Sequence, residues 1–257
     1  MISFSDVTKN YGETRVLGPV SATIPQGGVT SLIGPNGAGK STLLTILGRL
    51  AEADSGTVSV GGLEVRRADG KGVKSSELAR TVAILRQENH LAARLTVRDL
   101  VALGRFPHSR GRLTAACVEA VDAALTFLNL TELQGRFLDQ LSGGQRQRAF
   151  VAMVLAQDTD YILLDEPLNN LDMKHAVLMM KQLRRAADEL GKTVVLVIHD
   201  VNFAAAYSDR ILALRNGVLV HEGTVEETMT AEVLSSVFDT PVTVHTIGCH
   251  PTAVYTH

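Results

Sequence analysis

The chain has 257 residues, of which 45% are hydrophobic and 20% charged, and its formal net charge is −2. These values are typical of a globular protein that buries a sizeable core. They exclude a strongly basic field of the kind that holds nucleic acid by neutralising phosphates. The longest apolar runs, such as residues 149–156, fall short of the roughly 20 residues that a membrane-spanning helix needs. The N-terminus shows no secretory signal. We therefore expect any membrane contact to go through partner proteins.

The first half of the chain begins with short strand patterns over residues 2–7 and 18–24, separated by turn-forming residues. An apolar, β-branched run over 29–33 is followed at once by a glycine-rich loop and then by a helical pattern over 40–50. This order of strand, loop and helix predicts one unit of an α/β fold.

Two further apolar runs, over 161–164 and 193–198, are each stopped by charged residues. Because they are apolar on both faces, they predict strands of a parallel sheet that is covered by helices. A helical pattern over 172–190 ends at Gly191, a typical residue after the last helical turn. A second pattern over 224–238 predicts another helical stretch, and the residues after it predict nothing.

Between residues 86 and 159 helical patterns dominate, over 97–103, 114–130 and 143–157. We interpret this part as a helical subdomain inserted into the α/β core. The predicted fold class is α/β: a mainly parallel sheet flanked by helices, with an N-terminal antiparallel β part and this inserted helical subdomain. The predicted organisation is a single domain spanning the whole chain. Its parts are a core of residues 1–86 and 160–223, a helical subdomain of residues 87–159 and a C-terminal extension of residues 224–257. Cys117 and Cys249 lie far apart and predict neither a zinc site nor a disulfide framework.

Residues 34–41 read Gly-Pro-Asn-Gly-Ala-Gly-Lys-Ser and match the phosphate-binding pattern G-x-x-x-x-G-K-[ST] in full. Glycines let the backbone N–H groups line a concave anion site, and the helix that follows points its positive end at the same place. Lys40 supplies a charge for the β- and γ-phosphates, and the Ser41 hydroxyl suits Mg²⁺, which prefers oxygen donors. The loop predicts a site for a nucleoside triphosphate with Mg²⁺.

Polar residues follow the other two predicted parallel strands. Asp165 and Glu166 end the run over 161–164, and His199 follows the run over 193–198. The carboxyl ends of parallel strands are where such sheets place their ligands. Asp165 is therefore suited to hold the water shell of Mg²⁺, and Glu166 is suited to polarise an attacking water. His199 is suited to donate a hydrogen bond to the γ-phosphate. On their own, two acids at a strand end would more often be solvated surface residues.

Residues 141–145, Leu-Ser-Gly-Gly-Gln, open a second helix whose first turn is ready for an anion. Without other motifs, this segment would simply be a capped helix. Together with the phosphate-binding loop it indicates that one molecule offers Ser142 to the ATP held by another.

These motifs, in this order along nearly the whole chain, resemble the ATPase subunit of ABC transporters. The elements that carry the resemblance are Tyr11, the 34–41 loop, Gln87, residues 141–145, residues 161–167, Asp172 and His199. The resemblance implies a head-to-tail dimer of two identical chains with two ATP molecules between them.

The resemblance also implies roles for particular residues. Within one chain, ATP would be bound by Tyr11, Gly34, Pro35, Asn36, Gly37, Ala38, Gly39, Lys40, Ser41 and Thr42. The second copy would contribute Ser142, Gly143, Gly144, Gln145 and Asp172, the last from a dimer-contact loop. Mg²⁺ would be held by Ser41, Gln87 and Asp165, and the catalytic residues would be Glu166, His199 and Gln87. Tyr11 would stack on adenine, and Gln87 would link the site to a membrane subunit.

Leu168 and Asn170 depart from the residues common in the family at their positions. Since neither would remove a ligand of phosphate or metal, we expect them to tune the dimer contact only.

One phosphate-binding loop and one 141–145 string indicate a single cassette without a fused membrane domain, which favours an importer. Residues 104–108 and 168–175 resemble the group that serves ferric siderophores, haem and cobalamin, with the overall spacing most like the ferric-siderophore branch. The implied partners are a second copy, integral membrane permease subunits and, indirectly, an extracytoplasmic substrate-binding protein. The implied location is the cytoplasmic face of the cell membrane. Alternatives are import of haem, cobalamin or another substrate, a soluble ABC-type ATPase acting on DNA or ribosomes, and a regulatory module that binds ATP without hydrolysing it.

Overall fold

The computed structural model describes residues 1–87, 93–248 and 250–255. Its strands are β1 Ile2–Tyr11, β2 Thr14–Ile24, β3 Gly28–Ile33, β4 Ser55–Val60, β5 Leu63–Arg66, β6 Val82–Leu85, β7 Tyr161–Asp165, β8 Thr193–Val197, β9 Arg210–Arg215, β10 Val218–Thr224, β11 Val242–Ile247 and β12 His250–Tyr255. Its helices are α1 Lys40–Leu47, α2 Ser75–Leu78, α3 Val97–Leu103, α4 Phe106–Ser109, α5 Ala115–Phe127, α6 Gly143–Ala156, α7 Met173–Leu190, α8 Val201–Tyr207, α9 Val225–Thr228 and α10 Ala231–Phe238. Two 3-10 turns lie at Thr131–Leu133 and Leu138–Gln140.

The central sheet has six strands in the order β10-β9-β3-β8-β7-β6. Strands β9, β3, β8, β7 and β6 run parallel, and β10 pairs antiparallel with β9 at one edge. All residues of β7 and β8 are buried, as their apolar composition predicted. Because these strands are parallel, the residues after β3, β7 and β8 come together at one edge of the sheet.

A second, antiparallel sheet has the order β2-β1-β4-β5. The prediction that its first two strands cover only 2–7 and 18–24 was wrong, since β1 continues to Tyr11 and β2 begins at Thr14. Register shifts between the two strands allow pairing to continue through polar residues that resemble a turn. Asp6 lies at such an irregularity with φ 51°.

The helical part forms one core with the central sheet, in which Leu100 of α3, Val121 of α5 and Phe150 of α6 are buried. Helix α3 has the predicted bounds, and α6 ends one residue before the predicted end. The prediction of 114–130 began one residue before α5 and ended three residues after it, because Asn129 adopts a left-handed conformation with φ 55°. Helix α1 likewise ends at Leu47 and not at residue 50.

The C-terminal region differs most from the sequence prediction. The helical stretch predicted over 224–238 consists of two helices, α9 and α10, because the Thr230 side chain caps a new helix by accepting a bond from Val233 N at 3.2 Å. The residues that predicted nothing form the hairpin β11–β12. Asn202 of α8 fixes this hairpin through bonds with both the N–H and the carbonyl of Ala253, at 2.8 and 3.2 Å.

Two apolar cores lie on opposite faces of the central sheet, one shared with the helical part and one with α1 and the antiparallel sheet. Cys117 is buried in the first part of α5, and Cys249 lies outside the described residues. Within the ranges that the structure describes, no helix has both the length and the apolar character needed to cross a membrane. The division into a core, a helical subdomain and a C-terminal extension stays a prediction.

Candidate functional site

The glycine-rich loop connects the end of β3 to the start of α1. Gly34 has φ 140° and Gly39 has φ 95°, conformations that side chains rarely adopt. A Cβ atom on Gly34 would lie 2.0 Å from the carbonyl oxygen of Leu214, and one on Gly39 would lie 2.9 Å from that of Val16. Both positions therefore require glycine for backbone conformation and for space, which fixes the loop against β2 and β9.

Lys40 places its ammonium group inside this loop. Its Nζ atom donates to the carbonyl oxygens of Gly34 and Pro35, each at 2.9 Å. The residue is 5% exposed, and burial lowers the pKa of the Lys40 ammonium, while the nearby Glu166 and Asp165 oppose that shift. Helix α1 begins without a side-chain cap, so its first N–H groups face the same space. The loop thus combines a buried cation with free N–H donors, which is the chemistry of a phosphate site.

Ser41 and Asp165 form the polar contact beneath the loop. The Ser41 hydroxyl donates to Asp165 Oδ1 at 2.7 Å. Burial raises the pKa of the Asp165 carboxyl, and the bond from Ser41 opposes that shift. A hydroxyl beside a carboxylate fits Mg²⁺, which takes few protein ligands and completes its shell with water and phosphate oxygens. Among the residues that the structure describes, no group of three or more His, Cys, Asp or Glu side chains is arranged for a metal.

Glu166 lies at the centre of a hydrogen-bonded cluster. Its side chain is 11% exposed, and its Oε1 lies 2.6 Å from Nε2 of His199. Its Oε2 accepts a bond from Nε2 of Gln87 at 2.7 Å and another from the side-chain amide of Asn169. The structure therefore brings together the three residues predicted to be catalytic. Asn169 was not predicted, and only its position three residues after Glu166 in a turn could have indicated the contact.

Residues 142–145 begin helix α6. The Ser142 hydroxyl accepts from the backbone N–H of Gln145 at 3.3 Å, and the Gln145 side chain accepts from the N–H of Ser142 at 3.0 Å. This reciprocal cap is a capping box. Over residues 1–87, 93–248 and 250–255, no hydrogen bond or ion pair connects this segment to the phosphate-binding loop of the same chain. Ser142 is exposed at the surface, where another molecule can reach it.

The start of α6 packs on the start of α7. A Cβ atom on Gly144 would lie 2.8 Å from Cγ of His175, so the two helices touch at this point. Asp172 caps α7 by accepting from the N–H of His175 at 2.8 Å, and its Oδ1 lies 2.7 Å from Nδ1 of the same ring. These bonds lower the pKa of the Asp172 carboxyl. His175, which was not predicted, therefore joins Asp172 to the 142–145 segment.

Tyr11 ends β1 at the surface, with 55% of the residue exposed. Its partner across the turn is Thr14, and Nζ of Lys9 lies 5.4 Å from the centre of its ring. The ring is thus open to a planar ligand, and over the described ranges no hydrogen bond or ring contact joins it to the loop.

A comparison with protein families finds that the ABC transporter model matches residues 17–169. The match covers more than half of the chain and includes the phosphate-binding loop, the 142–145 segment and Glu166. The chain belongs to the ABC transporter family. This confirms the family that the motifs predicted. The parallel central sheet and the antiparallel sheet confirm the predicted α/β fold class.

Two relatives extend the match over almost the whole of this ABC transporter chain. It is 52% identical over 255 residues to the petrobactin import ATP-binding protein YclP of Bacillus subtilis strain 168, covering 99% of each chain. It is 51% identical over 255 residues to the petrobactin import ATP-binding protein FatE of Bacillus anthracis, covering 99% of this chain and 100% of the relative.

Among solved structures, the chain resembles a dimer of the ATP-binding cassette MJ0796 in a post-hydrolysis state, bound to ADP and Pi. The sequence identity is 31% and the TM-score 0.76, with coverage of 88% of this chain and 99% of MJ0796.

Proposed function

We propose that this chain is the ATP-hydrolysing subunit of an importer for ferric siderophores. The observation that carries the proposal is the site itself: a phosphate-binding loop with a buried lysine, beside a carboxylate that is hydrogen-bonded to His199 and Gln87. The relatives YclP and FatE, which align over nearly their full length, are petrobactin import ATP-binding proteins. Petrobactin is therefore the first cargo to test.

ATP binds first to one chain. The loop N–H groups and the ammonium of Lys40 hold the β- and γ-phosphates, since the ammonium already occupies the loop and exchanges its two carbonyl partners for phosphate oxygens. The exposed ring of Tyr11 stacks on adenine. Thr42, in the first turn of α1, completes the set around the phosphates.

Mg²⁺ would be held by Ser41, Asp165 and the amide oxygen of Gln87. When bound, it neutralises charge on the phosphate oxygens. The Gln87 amide nitrogen donates to Glu166, so one side chain connects the predicted metal ligands to the predicted base.

Hydrolysis is a transfer of the γ-phosphoryl group to water. The water oxygen attacks phosphorus, the bond to the bridging oxygen of ADP breaks, and the proton of the water passes to Glu166. His199 orients the carboxylate from the other side and reaches the γ-phosphate. Because the protein forms no covalent bond with the substrate in this step, the rate depends mainly on how accurately these side chains are positioned.

A second copy completes the site. Ser142 and Gly143 are exposed at a capped helix start, Gln145 is partly buried, and Gly144 is buried against His175. The His175 ring also contacts Asp172, so Asp172 lies next to this segment. In a head-to-tail dimer these residues contact the γ-phosphate held by the other chain. The dimeric state of the similar cassette MJ0796 supports this arrangement. Loss of the γ-phosphate opens the dimer, and permease subunits at the cytoplasmic face of the membrane use that motion to move a chelate delivered by an extracytoplasmic binding protein.

The enzymatic part is tested with Glu166→Gln, which keeps the shape of the side chain and removes the base. We expect ATP binding to persist, phosphate release to fall by at least about 100-fold, and an ATP-dependent dimer to accumulate in light scattering. Glu119→Gln, the same change at an exposed position of α5, controls for altered charge. Unchanged turnover in Glu166→Gln would refute the assignment of the base.

The transport part is tested by deleting the gene and measuring uptake of ⁵⁵Fe bound to petrobactin, to other siderophores and to haem, together with uptake of labelled cobalamin. We expect a defect for ferric petrobactin that the wild-type gene restores and Glu166→Gln does not. A defect confined to haem or cobalamin would move the chain to another branch of importers. Normal uptake of all substrates, with ATPase activity stimulated by nucleic acid, would indicate a soluble ABC-type ATPase.

A further inference from the structure

Glu166 has an unusual backbone for a glutamate. Its φ of 49° lies in the left-handed region, which long side chains rarely adopt outside constrained sites. It follows directly on the buried strand β7, so the chain must reverse sharply at this residue. A carboxylate carried on such a turn needs neighbours that fix both its backbone and its side chain.

Asn169 meets both needs from within the same turn. Its backbone N–H donates to the carbonyl oxygen of Glu166 at 3.2 Å, and its side-chain amide donates to Glu166 Oε2. We infer that Asn169 is a positioning residue for hydrolysis, which holds the carboxylate of Glu166 in the orientation that accepts a proton from water. This inference rests on the proposed function of Glu166 as the base.

The other two donors to Glu166 come from more distant parts of the chain. Gln87 follows β6, 79 residues away in sequence, and in the proposed function it also serves the metal. His199 follows β8, and in the proposed function it also serves the γ-phosphate. Asn169 has neither task, and its contact stays within one four-residue turn. When Gln87 turns to the metal and His199 to the γ-phosphate, the amide of Asn169 is therefore the donor that stays bonded to Oε2 of Glu166.

If Asn169 only stabilised the turn, its side-chain amide would not need to contact Glu166. The backbone bond from Asn169 to Glu166 closes the turn whatever side chain is present at position 169. Asn169 itself is exposed, so its side chain fills no space in the core. What the side chain adds is a donor aimed at the carboxylate, and removing that donor should affect the chemical step and not the binding of ATP.

The test compares Asn169→Ala with Asn169→Asp, which keeps the shape but replaces the donor by a second carboxylate. Asn129→Asp is the matched control, since Asn129 is likewise an exposed asparagine, just after the end of α5. Steady-state ATPase assays give kcat and KM, and circular dichroism monitors folding. Single-turnover hydrolysis is then measured for Asn169→Ala in the Glu166→Gln background.

We expect kcat to fall about 10-fold or more in Asn169→Ala and further in Asn169→Asp, with KM for ATP within twofold of wild type. In the Glu166→Gln background, Asn169→Ala should have no further effect, because the carboxylate it positions is gone. A kcat within twofold of wild type in both variants, or an equal effect with and without Glu166, would overturn the inference. If the wild type and Asn129→Asp both fail to hydrolyse ATP, the proposed function fails instead.

Discussion

The contact between Gly144 and His175 makes a sharp prediction about the segment at residues 142–145. Gly144 and Gly143 are adjacent in the first turn of α6, yet their surroundings differ. A Cβ atom on Gly144 would lie 2.8 Å from Cγ and 2.9 Å from Cδ2 of the His175 ring. A Cβ atom on Gly143 would meet only the carbonyl oxygen of Asn170, at an ordinary 3.5 Å. Alanine should therefore be tolerated at the first position and not at the second.

The magnitude follows from two opposing effects. Alanine in a helix is favoured over glycine by up to about 1 kcal/mol, and both substitutions gain part of this. Forcing a methyl group into a packed contact costs about 1–3 kcal/mol, and only Gly144→Ala incurs that cost. We expect Gly143→Ala to be neutral or slightly stabilising and Gly144→Ala to lie about 1–3 kcal/mol below it. For a chain of this size that corresponds to a difference of several degrees in Tm.

Urea and thermal unfolding of the two variants, without nucleotide, measure this difference. His175→Ala provides an internal check, because removing the ring should give the methyl group at position 144 its space. In the His175→Ala background, Gly144→Ala should cost less than it does in the wild type, so the double variant is non-additive. Equal stability of Gly143→Ala and Gly144→Ala, or an unchanged cost without the His175 ring, would contradict the packing described for the start of α6.

Three other predictions concern the loop, the metal ligands and the C-terminal hairpin. Lys40→Ala removes charge-assisted bonds worth about 1.5–3 kcal/mol each, so calorimetry should show ATP binding at least about 100-fold weaker, and ordinary affinity would argue against the phosphate site. Because burial raises the pKa of Asp165, the folded state binds protons more tightly than the unfolded state, and stability falls as pH rises above the ordinary value of 3.8. Asp165→Asn should therefore raise the Tm of the metal-free protein at pH 7, where the buried carboxyl is ionised at a cost, but not at a pH below 3.8. Thermal melts in the presence of a chelator at these two pH values test this, and an equal effect at both would contradict it. Asn202→Ala removes two bonds to Ala253, worth about 0.5–1.5 kcal/mol each, and limited proteolysis should then cut first within 242–255; an unchanged cleavage pattern would contradict a role in anchoring.

The sequence predicted the strands β3, β7 and β8 because each is apolar on both faces and ends at a polar motif. Those three strands position the loop, Asp165, Glu166 and His199, so the centre of the site was accessible from sequence alone. Strands such as β6, with four residues between turns, were missed because so short an apolar run does not distinguish a strand from a buried turn.

The contacts of Asn169 and His175 could not be predicted for a different reason. Asn169 reaches Glu166 only because of the left-handed turn at Glu166, and His175 meets Gly144 only because α6 and α7 start side by side. The contact of His175 depends on how two helices pack, and the contact of Asn169 depends on a turn of which the sequence shows only the three-residue spacing from Glu166. The C-terminal hairpin was missed because each of its strands has one buried residue and is otherwise exposed or partly buried, so the sequence carries little apolar signal there.

In the proposed dimer, a nucleotide bound by the loop of one chain also contacts the 142–145 segment of another. Asn36 is exposed in the loop, and Ser142 is exposed at the start of α6. Cysteines introduced at Asn36→Cys and Ser142→Cys, with Cys117 and Cys249 replaced by serine, place one thiol on each side of the expected interface. Glu166→Gln is added so that ATP is not consumed.

The decisive measurement is crosslinking of this variant with a short bifunctional thiol reagent, in the presence and absence of ATP and Mg²⁺. We predict a covalent dimer that forms with ATP and Mg²⁺, joins position 36 of one chain to position 142 of the other by mass spectrometry, and disappears when either introduced cysteine is omitted. A crosslink that ignores ATP, or none under any condition while ATP binds normally, would contradict the claim that two chains share the nucleotide.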